Sequence, residues 1–215
     1  MTVFSNPGFD NHERVLFCRD EPTGLCAIIA IHSSALGPAA RGTRLWTYAN
    51  DDDALYDVLR LSQGMSNKYP LAGMKCGGGK AVNMKTPDCD GSDALVECFG
   101  EFVDTLGGDY RTAEDVGMNE EIMATIARKT RHVAGLPMQS GKAGGDPSPK
   151  SAYGICCGIR SAVKAELGGE DLQGVRVAIQ GVGNVGYHLC RLLHAAGATL
   201  LVSDLDDVRV DRVCS

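Results

Sequence analysis

"VRVAIQGVGNVGYHLCRLLHAAGATLLVSD", Val175 to Asp204, is the stretch on which the fold class turns. Val175–Gln180 is a short apolar run that reads as a buried strand. Gly181-Val182-Gly183-Asn184-Val185-Gly186 follows, then a helix with an apolar stripe ending at Gly197, then a second strand, Thr199–Ser203, closed by Asp204. A lone G-x-G-x-x-G is weak evidence. Here the strand before, the helix after and an acid about 20 residues on complete the pattern of a dinucleotide-binding βαβ unit. Gly181 permits the tight turn, Gly183 lets backbone approach a pyrophosphate, and Gly186 lets helix and strand lie close. The helix N-terminus offers unpaired N–H groups to phosphates. Asp204 can accept hydrogen bonds from ribose hydroxyls, and its charge repels a 2′-phosphate, so NAD is expected rather than NADP. Gly181 to Gly186 and Asp204 are the expected cofactor-binding residues.

Upstream, strand and helix signals alternate, which means α/β. "RVLFCRD" and "LCAIIAIHS" read as strands with turn chemistry, "EPTG", between them. "DDDALYDVLRLSQGMSNK" reads as a helix capped by Asp51 or Asp52, with Leu55, Val58, Leu59, Ser62 and Met65 on one face. A short strand is predicted near Ala81–Met84. "GSDALVECFGEFVDTLGG" is a second helix, capped by Ser92 and ended by Gly107. "DYRTAEDVG" reads as a strand running into a loop, and "NEEIMATIARKT" as a short helix. The Gly-, Pro- and Ser-rich "GLPMQSGKAGGDPSP" is the main composition break. Beyond it a helix capped by Ser148, with Pro149 at its first position, runs to Gly168. The expected organisation is an N-terminal α/β domain over residues 1–140, then a dinucleotide-binding domain over 141–215.

Composition narrows the function. The 215 residues carry a net charge of −6, no basic cluster of the kind nucleic acid requires and no apolar run of membrane-spanning length. The first residues show no basic start followed by an apolar core, and a cytoplasmic protein is expected. The nine cysteines are scattered without a C-x-x-C pair, which argues against zinc and for reduced thiols packed as small hydrophobes, among them Cys26, Cys98, Cys156, Cys157 and Cys190. Trp46 and Tyr48 read as packing residues.

The second informative stretch is "LAGMKCGGGKAVNM", Leu71 to Met84. It is not a Walker loop: Met74 stands where that motif needs its first glycine, and Ala81 where it needs Ser or Thr. Gly77, Gly78 and Gly79 read as a loop stripped of side chains, so that a small substrate can lie against backbone, with Lys80 entering a buried strand. Desolvation favours the neutral amine of such a lysine, which suits a general base.

Five segments, "IHSSALGPAARGTRLWTY", "LSQGMSNKYPLAGMKCGGGKAVN", "YRTAEDVGMN", "DPSPKSAYG" and "VAIQGVGNVGYHLC", together resemble the Glu/Leu/Phe/Val dehydrogenase family, most closely its leucine and phenylalanine dehydrogenase branch. The resemblance implies an N-terminal substrate and oligomerisation domain followed by a Rossmann domain. It implies NAD-dependent oxidative deamination of an L-amino acid to a 2-oxo acid and ammonium. By it, Lys68 binds the substrate carboxylate, Lys80 activates water, and Asp115 is the proton-transfer partner. Gly78, Ala113 and Ala40 line the pocket, and Ser151 joins the cofactor-binding set. Ala40 aligns with a lysine of glutamate dehydrogenases, which argues for an apolar substrate of the leucine, valine or phenylalanine type. Arg41 stands where the family usually has glycine and is counted with the pocket. A homo-oligomer is implied, with no nucleic acid or membrane partner. Relatives continue past the first βαβ unit of the nucleotide domain, so a fragment of a longer enzyme is expected. The alternatives are a glutamate dehydrogenase and a non-catalytic nucleotide-binding or oligomerisation module.

Overall fold

In the computed structural model, residues 2–40, 42–85, 92–138 and 144–215 are described, and they divide into two compact units, Met1–Gly145 and Asp146–Ser215. Arg41, Cys89 and the middle of the composition break lie outside the described residues.

The first unit is built on a six-stranded sheet. Its strands are β1 (Arg14–Asp20), β2 (Leu25–Ser33), β3 (Ala39–Ala40), β4 (Thr43–Trp46), β5 (Gly77–Met84) and β6 (Tyr110–Arg111). The order is β1-β2-β5-β3-β6, with β4 also pairing β5. β1 and β2 are antiparallel, as are β2 and β5, whereas β3 and β4 run parallel to β5. β2 is buried over most of its length, and its period of two sends Ile29 and Ile31 to one face and Ile28 and Ala30 to the other. Helix α1 (Asp51–Leu71) covers the second face with Ala54, Leu55, Val58 and Leu59. Helices α2 (Asp93–Asp104) and α3 (Glu120–Ile126) cover the first, where Leu95, Phe99, Val103, Met123 and Ile126 meet β2 and Ala81.

The predicted elements are present, with three differences. The strand predicted at Ala81–Met84 begins four residues earlier, at Gly77, so the three glycines and Lys80 lie in a strand and not in a loop. They are strand residues because neighbours on both faces leave no room for a side chain. A Cβ on Gly78 would overlap Ser66 Oγ and the Ser66 backbone N and lie 2.6 Å from the Ser62 carbonyl, all on α1; one on Gly79 would lie 2.9 Å from Ala39 Cβ. Second, Asn50 caps α1, its side chain accepting from the Asp53 amide, and Asp51 begins the helix. The helix also runs past Lys68 and through Pro70, held at its end by buried Tyr69, whose hydroxyl donates to the Ala40 carbonyl at 3.1 Å. Third, α4 (Ser148–Leu167) begins at Ser148, and the Asp146 side chain accepts from the Ser148 amide.

The second unit pairs β7 (Arg176–Gln180) with β8 (Thr199–Ser203) in parallel, with α4, α5 (Asn184–Ala195) and α6 (Asp207–Cys214) around them. Its core gathers Ala152, Cys156, Leu172, Ile179, Leu189 and Leu193. The described cysteines are all free thiols; Cys156 and Cys190 are buried, but Cys157 is exposed and Cys26 and Cys98 are half-buried, so burial does not extend to every thiol in an apolar run.

Two glycine substitutions with opposite signs test this packing. Gly78→Ala forces a methyl against α1 backbone and is expected to cost about 2 kcal/mol or more in urea unfolding. Gly64→Ala, in α1 with nothing within 4 Å of the added Cβ, is expected to stabilise by about 0.5–1 kcal/mol. A neutral Gly78→Ala would show that the helix does not press on the strand.

Candidate active site

Strand register assembles a candidate site in the first unit. Ala40 pairs with Gly78 on one side and with Arg111 on the other, and Thr43 pairs with Ala81 and bridges Glu114. The same registers continued across the gap between β3 and β4 place Gly42 opposite Lys80. In a parallel sheet, in-register neighbours point to the same face. Ala40, Gly42 and Arg44 therefore share a face with Gly78 and Lys80 and with Ala113 and Asp115. Five residues picked from distant parts of the sequence meet there: Ala40, Gly78, Lys80, Ala113 and Asp115.

Lys80 is 3% exposed, in the middle of the most paired strand of the sheet. Its Nζ lies 2.9 Å from Asp115 Oδ2. A buried amine without a carboxylate would pay a desolvation cost of several kcal/mol. Asp115 reaches it across Gly42, where a Cβ would overlap the Glu114 carbonyl and lie 2.7 Å from Asp115 Cβ. Arg44 Nε donates to the same Oδ2 at 3.0 Å. Its Nη1 donates to Asp57 Oδ2 at 2.8 Å, and the Tyr48 hydroxyl donates to that Asp57 oxygen at 2.7 Å. Burial pushes the Asp115 carboxyl up, but the charge and hydrogen bond of Lys80, joined by Arg44, outweigh it and hold the group below the usual carboxylate range. Burial and Asp57 push the Tyr48 phenol up.

Lys68 stands exposed in the last turn of α1. Ala113 is half-buried, and its carbonyl accepts from the Thr43 amide at 2.8 Å. Gly42, Arg44, Asp57 and Tyr48 were not among the residues the sequence singled out for chemistry. Only Gly42, in "ARGTR", carried a local signal, a glycine beside a strand.

A separate candidate site lies in the second unit. Gly181 has φ +87°, a conformation that favours glycine, and the chain turns there from β7 into α5. A Cβ on Gly186 would overlap the Gly181 carbonyl, so this glycine closes the turn against the helix. At Gly183 only the Arg209 guanidinium comes within 4 Å, at 3.8 Å. Asn184 and Val185 open α5, with Val182 buried behind the turn. A cavity of about 340 Å³ is lined by Gln180, Gly181, Ser203, Asp204 and Leu205. A strained turn bare of side chains, a helix N-terminus and an adjoining cavity are what a dinucleotide needs, and these residues fit one. Asp204 is engaged within the turn: Oδ2 accepts from the Val182 amide at 2.8 Å and Oδ1 from the Asp206 amide at 3.1 Å. Those amides hold its carboxyl below the usual range. Ser151 is exposed in the first turns of α4. Among the described residues no group of His, Cys, Asp and Glu could hold a metal ion, and no helix is long and apolar enough to cross a membrane.

Family models match most of each unit. The family described as Glu/Leu/Phe/Val dehydrogenase, dimerisation domain, matches residues 12–132, and the one described as glutamate/leucine/phenylalanine/valine dehydrogenase matches 147–208. Leucine dehydrogenase of Geobacillus stearothermophilus is 47% identical over 212 residues, 99% of this chain and 58% of that protein. Leucine dehydrogenase of Bacillus subtilis is 46% identical over 202 residues, 94% of this chain and 55% of its own. The crystal structure of L-tryptophan dehydrogenase from Nostoc punctiforme superposes with a TM-score of 0.67 at 39% identity, covering 94% of this chain and 56% of its own. The chain thus spans somewhat more than half the length of the relatives it matches.

The buried pair makes its two halves unequal. Lys80→Met removes the buried charge and leaves Asp115 with Arg44, so it is expected to cost under about 1.5 kcal/mol at pH 7. Asp115→Asn leaves the buried amine facing a neutral amide and is expected to cost about 3 kcal/mol. Because the folded carboxyl titrates below its unfolded value, its contribution is complete above the ordinary carboxylate range and is lost as pH falls through the folded value. The gap between wild type and Asp115→Asn should therefore begin to narrow below about pH 4 and keep narrowing as pH falls. Urea unfolding of the three proteins from pH 7 to pH 3 measures both effects, and a gap that does not narrow at all would contradict the pairing.

Proposed function

We propose, since the chain belongs to the Glu/Leu/Phe/Val dehydrogenase family, that it forms the substrate-binding part and the first half of the dinucleotide-binding part of an enzyme that oxidises an apolar L-amino acid to its 2-oxo acid and ammonium. The observation that carries this reading is the buried Lys80–Asp115 pair. Substrate binding and oligomerisation are assigned to residues 1–140 and the dinucleotide to 141–215. The description of the matching N-terminal family as a dimerisation domain supports the oligomer.

The division of labour follows from exposure. Lys68, exposed on α1, is free to meet the substrate carboxylate as a solvated cation. Lys80 and Asp115, one hydrogen bond apart, can pass a proton directly: the Lys80 ammonium gives a proton to the Asp115 carboxylate and, as the neutral amine, takes one from the attacking water, and Asp115 then gives its own to the departing amine. Gly78 lets α1 close on the strand beside the pair, so the helix and not open space lies over this glycine. The α5 N-terminus at Gly183–Gly186 would hold the pyrophosphate of the dinucleotide, the Gly181 and Val182 amides being taken by Ser203 and Asp204. The dinucleotide, when bound, would supply the acceptor for the substrate's hydride.

Two features favour an apolar side chain and NAD. Ala40, in register with Gly78, brings no cation into the pocket, and a second substrate carboxylate buried there would lack a partner at that position. Around the glycine turn, Asp204 and Asp206 outnumber Arg209, which lies 3.8 Å from Asp204 and 3.3 Å from Asp206, so the local charge disfavours a 2′-phosphate.

The reading is tested by completing the chain with the C-terminal part of the Geobacillus stearothermophilus leucine dehydrogenase and following NADH formation with leucine, valine, phenylalanine, tryptophan and glutamate, beside the 215-residue chain. The apolar amino acids are expected to exceed glutamate in kcat/KM by about 100-fold or more, and Lys80→Ala to abolish turnover. Glutamate as best substrate would reverse the pocket assignment. For the cofactor, calorimetry on the chain should give NAD at least about tenfold tighter than NADP; the opposite order would remove Asp204 from its role.

A further inference from the structure

Lys80 and Arg44 both bind the same oxygen of Asp115, Oδ2, at 2.9 and 3.0 Å. We propose that Arg44 is a positioning residue for the reaction: its guanidinium holds Asp115 turned toward Lys80, and the Asp57–Tyr48 pair fixes Arg44 in that orientation. This deepens the assignment of Lys80 and Asp115 above and rests on it.

Three observations carry the proposal. Register places Arg44 beside Asp115 on the same sheet face, so the contact is built into the backbone and not into a long flexible reach. Arg44 uses two edges of its fork at once, Nε on Asp115 and Nη1 on Asp57. A lysine at position 44 would keep the charge but could not present that rigid two-sided geometry. Finally, Asp57 is on α1 and Tyr48 follows β4, and both bonds to Asp57 fall on Oδ2, so the orientation of Arg44 is tied to the helix that covers the site. The titratable and charged groups facing Asp115 are Lys80 from β5 and Arg44 from β4, with Asp57 and Tyr48 behind Arg44 and the buried Tyr110 phenol from β6. Arg44 and Asp57 are each about a quarter exposed, at 23% and 27%, so replacing them does not open the core.

The test is a pH titration of the Asp115 side-chain carboxyl by carbon NMR, with aspartate labelled at Cγ, in the 215-residue chain and in Arg44→Met, Asp57→Asn and Tyr48→Phe. Amide spectra show that each variant keeps the fold. The wild-type midpoint is expected below the ordinary carboxylate range, and Arg44→Met to raise it by about one pH unit. Asp57→Asn gives the sharper sign. Removing a negative charge from the neighbourhood would by itself lower the Asp115 midpoint, whereas releasing Arg44 raises it; a rise is expected. Tyr48→Phe, the mildest change, should move the midpoint in the same direction by less. A midpoint that stays in place or falls in all three overturns the role of Arg44, whatever the activity. Midpoints that rise as expected, in a chain whose completed form turns over no amino acid, overturn the deamination reading alone and leave Arg44's hold on Asp115 standing.

Discussion

Lys80 presents the fold with its hardest local problem, an ionisable side chain 3% exposed on the strand that pairs with three others. Ionised and alone, such a group would destabilise the unit by several kcal/mol. The carboxylate that answers it comes from a chain segment thirty-five residues on, along the extension of β6, and must cross the strand between. Gly42 makes that crossing sterically possible. The ion pair therefore depends on the order β5-β3-β6 and on the register that aligns Gly42 with Lys80. A slip of one residue would turn Lys80 to the opposite face, into the apolar layer of Phe99 and Tyr110.

Glycine serves different ends in the two units. In β5 the conformation is ordinary, and the absence of a Cβ matters because α1 and β3 lie within contact distance. At Gly181 the neighbourhood is open and the conformation matters, with φ +87° taking the chain out of β7. Gly186 combines close approach with helix packing. A glycine-rich string reads alike in all three cases, yet one is a strand, one a turn and one the start of a helix.

The two candidate regions also share an electrostatic device. In each, a carboxylate is kept ionised by neighbours that also orient it: Asp115 by Lys80 and Arg44, Asp204 by the amides of Val182 and Asp206. The first device uses side-chain cations in a partly desolvated setting. The second uses backbone donors at the edge of a cavity and so shapes a polar rim.

Much was legible before any coordinate. The βαβ unit around Gly181–Gly186 was readable because its signals are local: an apolar run, a glycine turn and an amphipathic helix, each decided within a dozen residues. The β1–β2 hairpin, α2 with its Ser92 cap and the α4 stop at Gly168 were readable for the same reason. Lys80 and Asp115 could be named by resemblance, though not joined. The sequence alone left Gly77–Gly79 as a loop, because three glycines look like a turn until α1 is seen pressing on them. It gave no sign of Arg44, Asp57 or Tyr48, whose network spans positions 44 to 115 and exists only where β4, α1 and the segment after β6 converge. Local chemistry determined which elements form; register, a property of strands brought together from far along the chain, decided which side chains share a face and hence which charges meet.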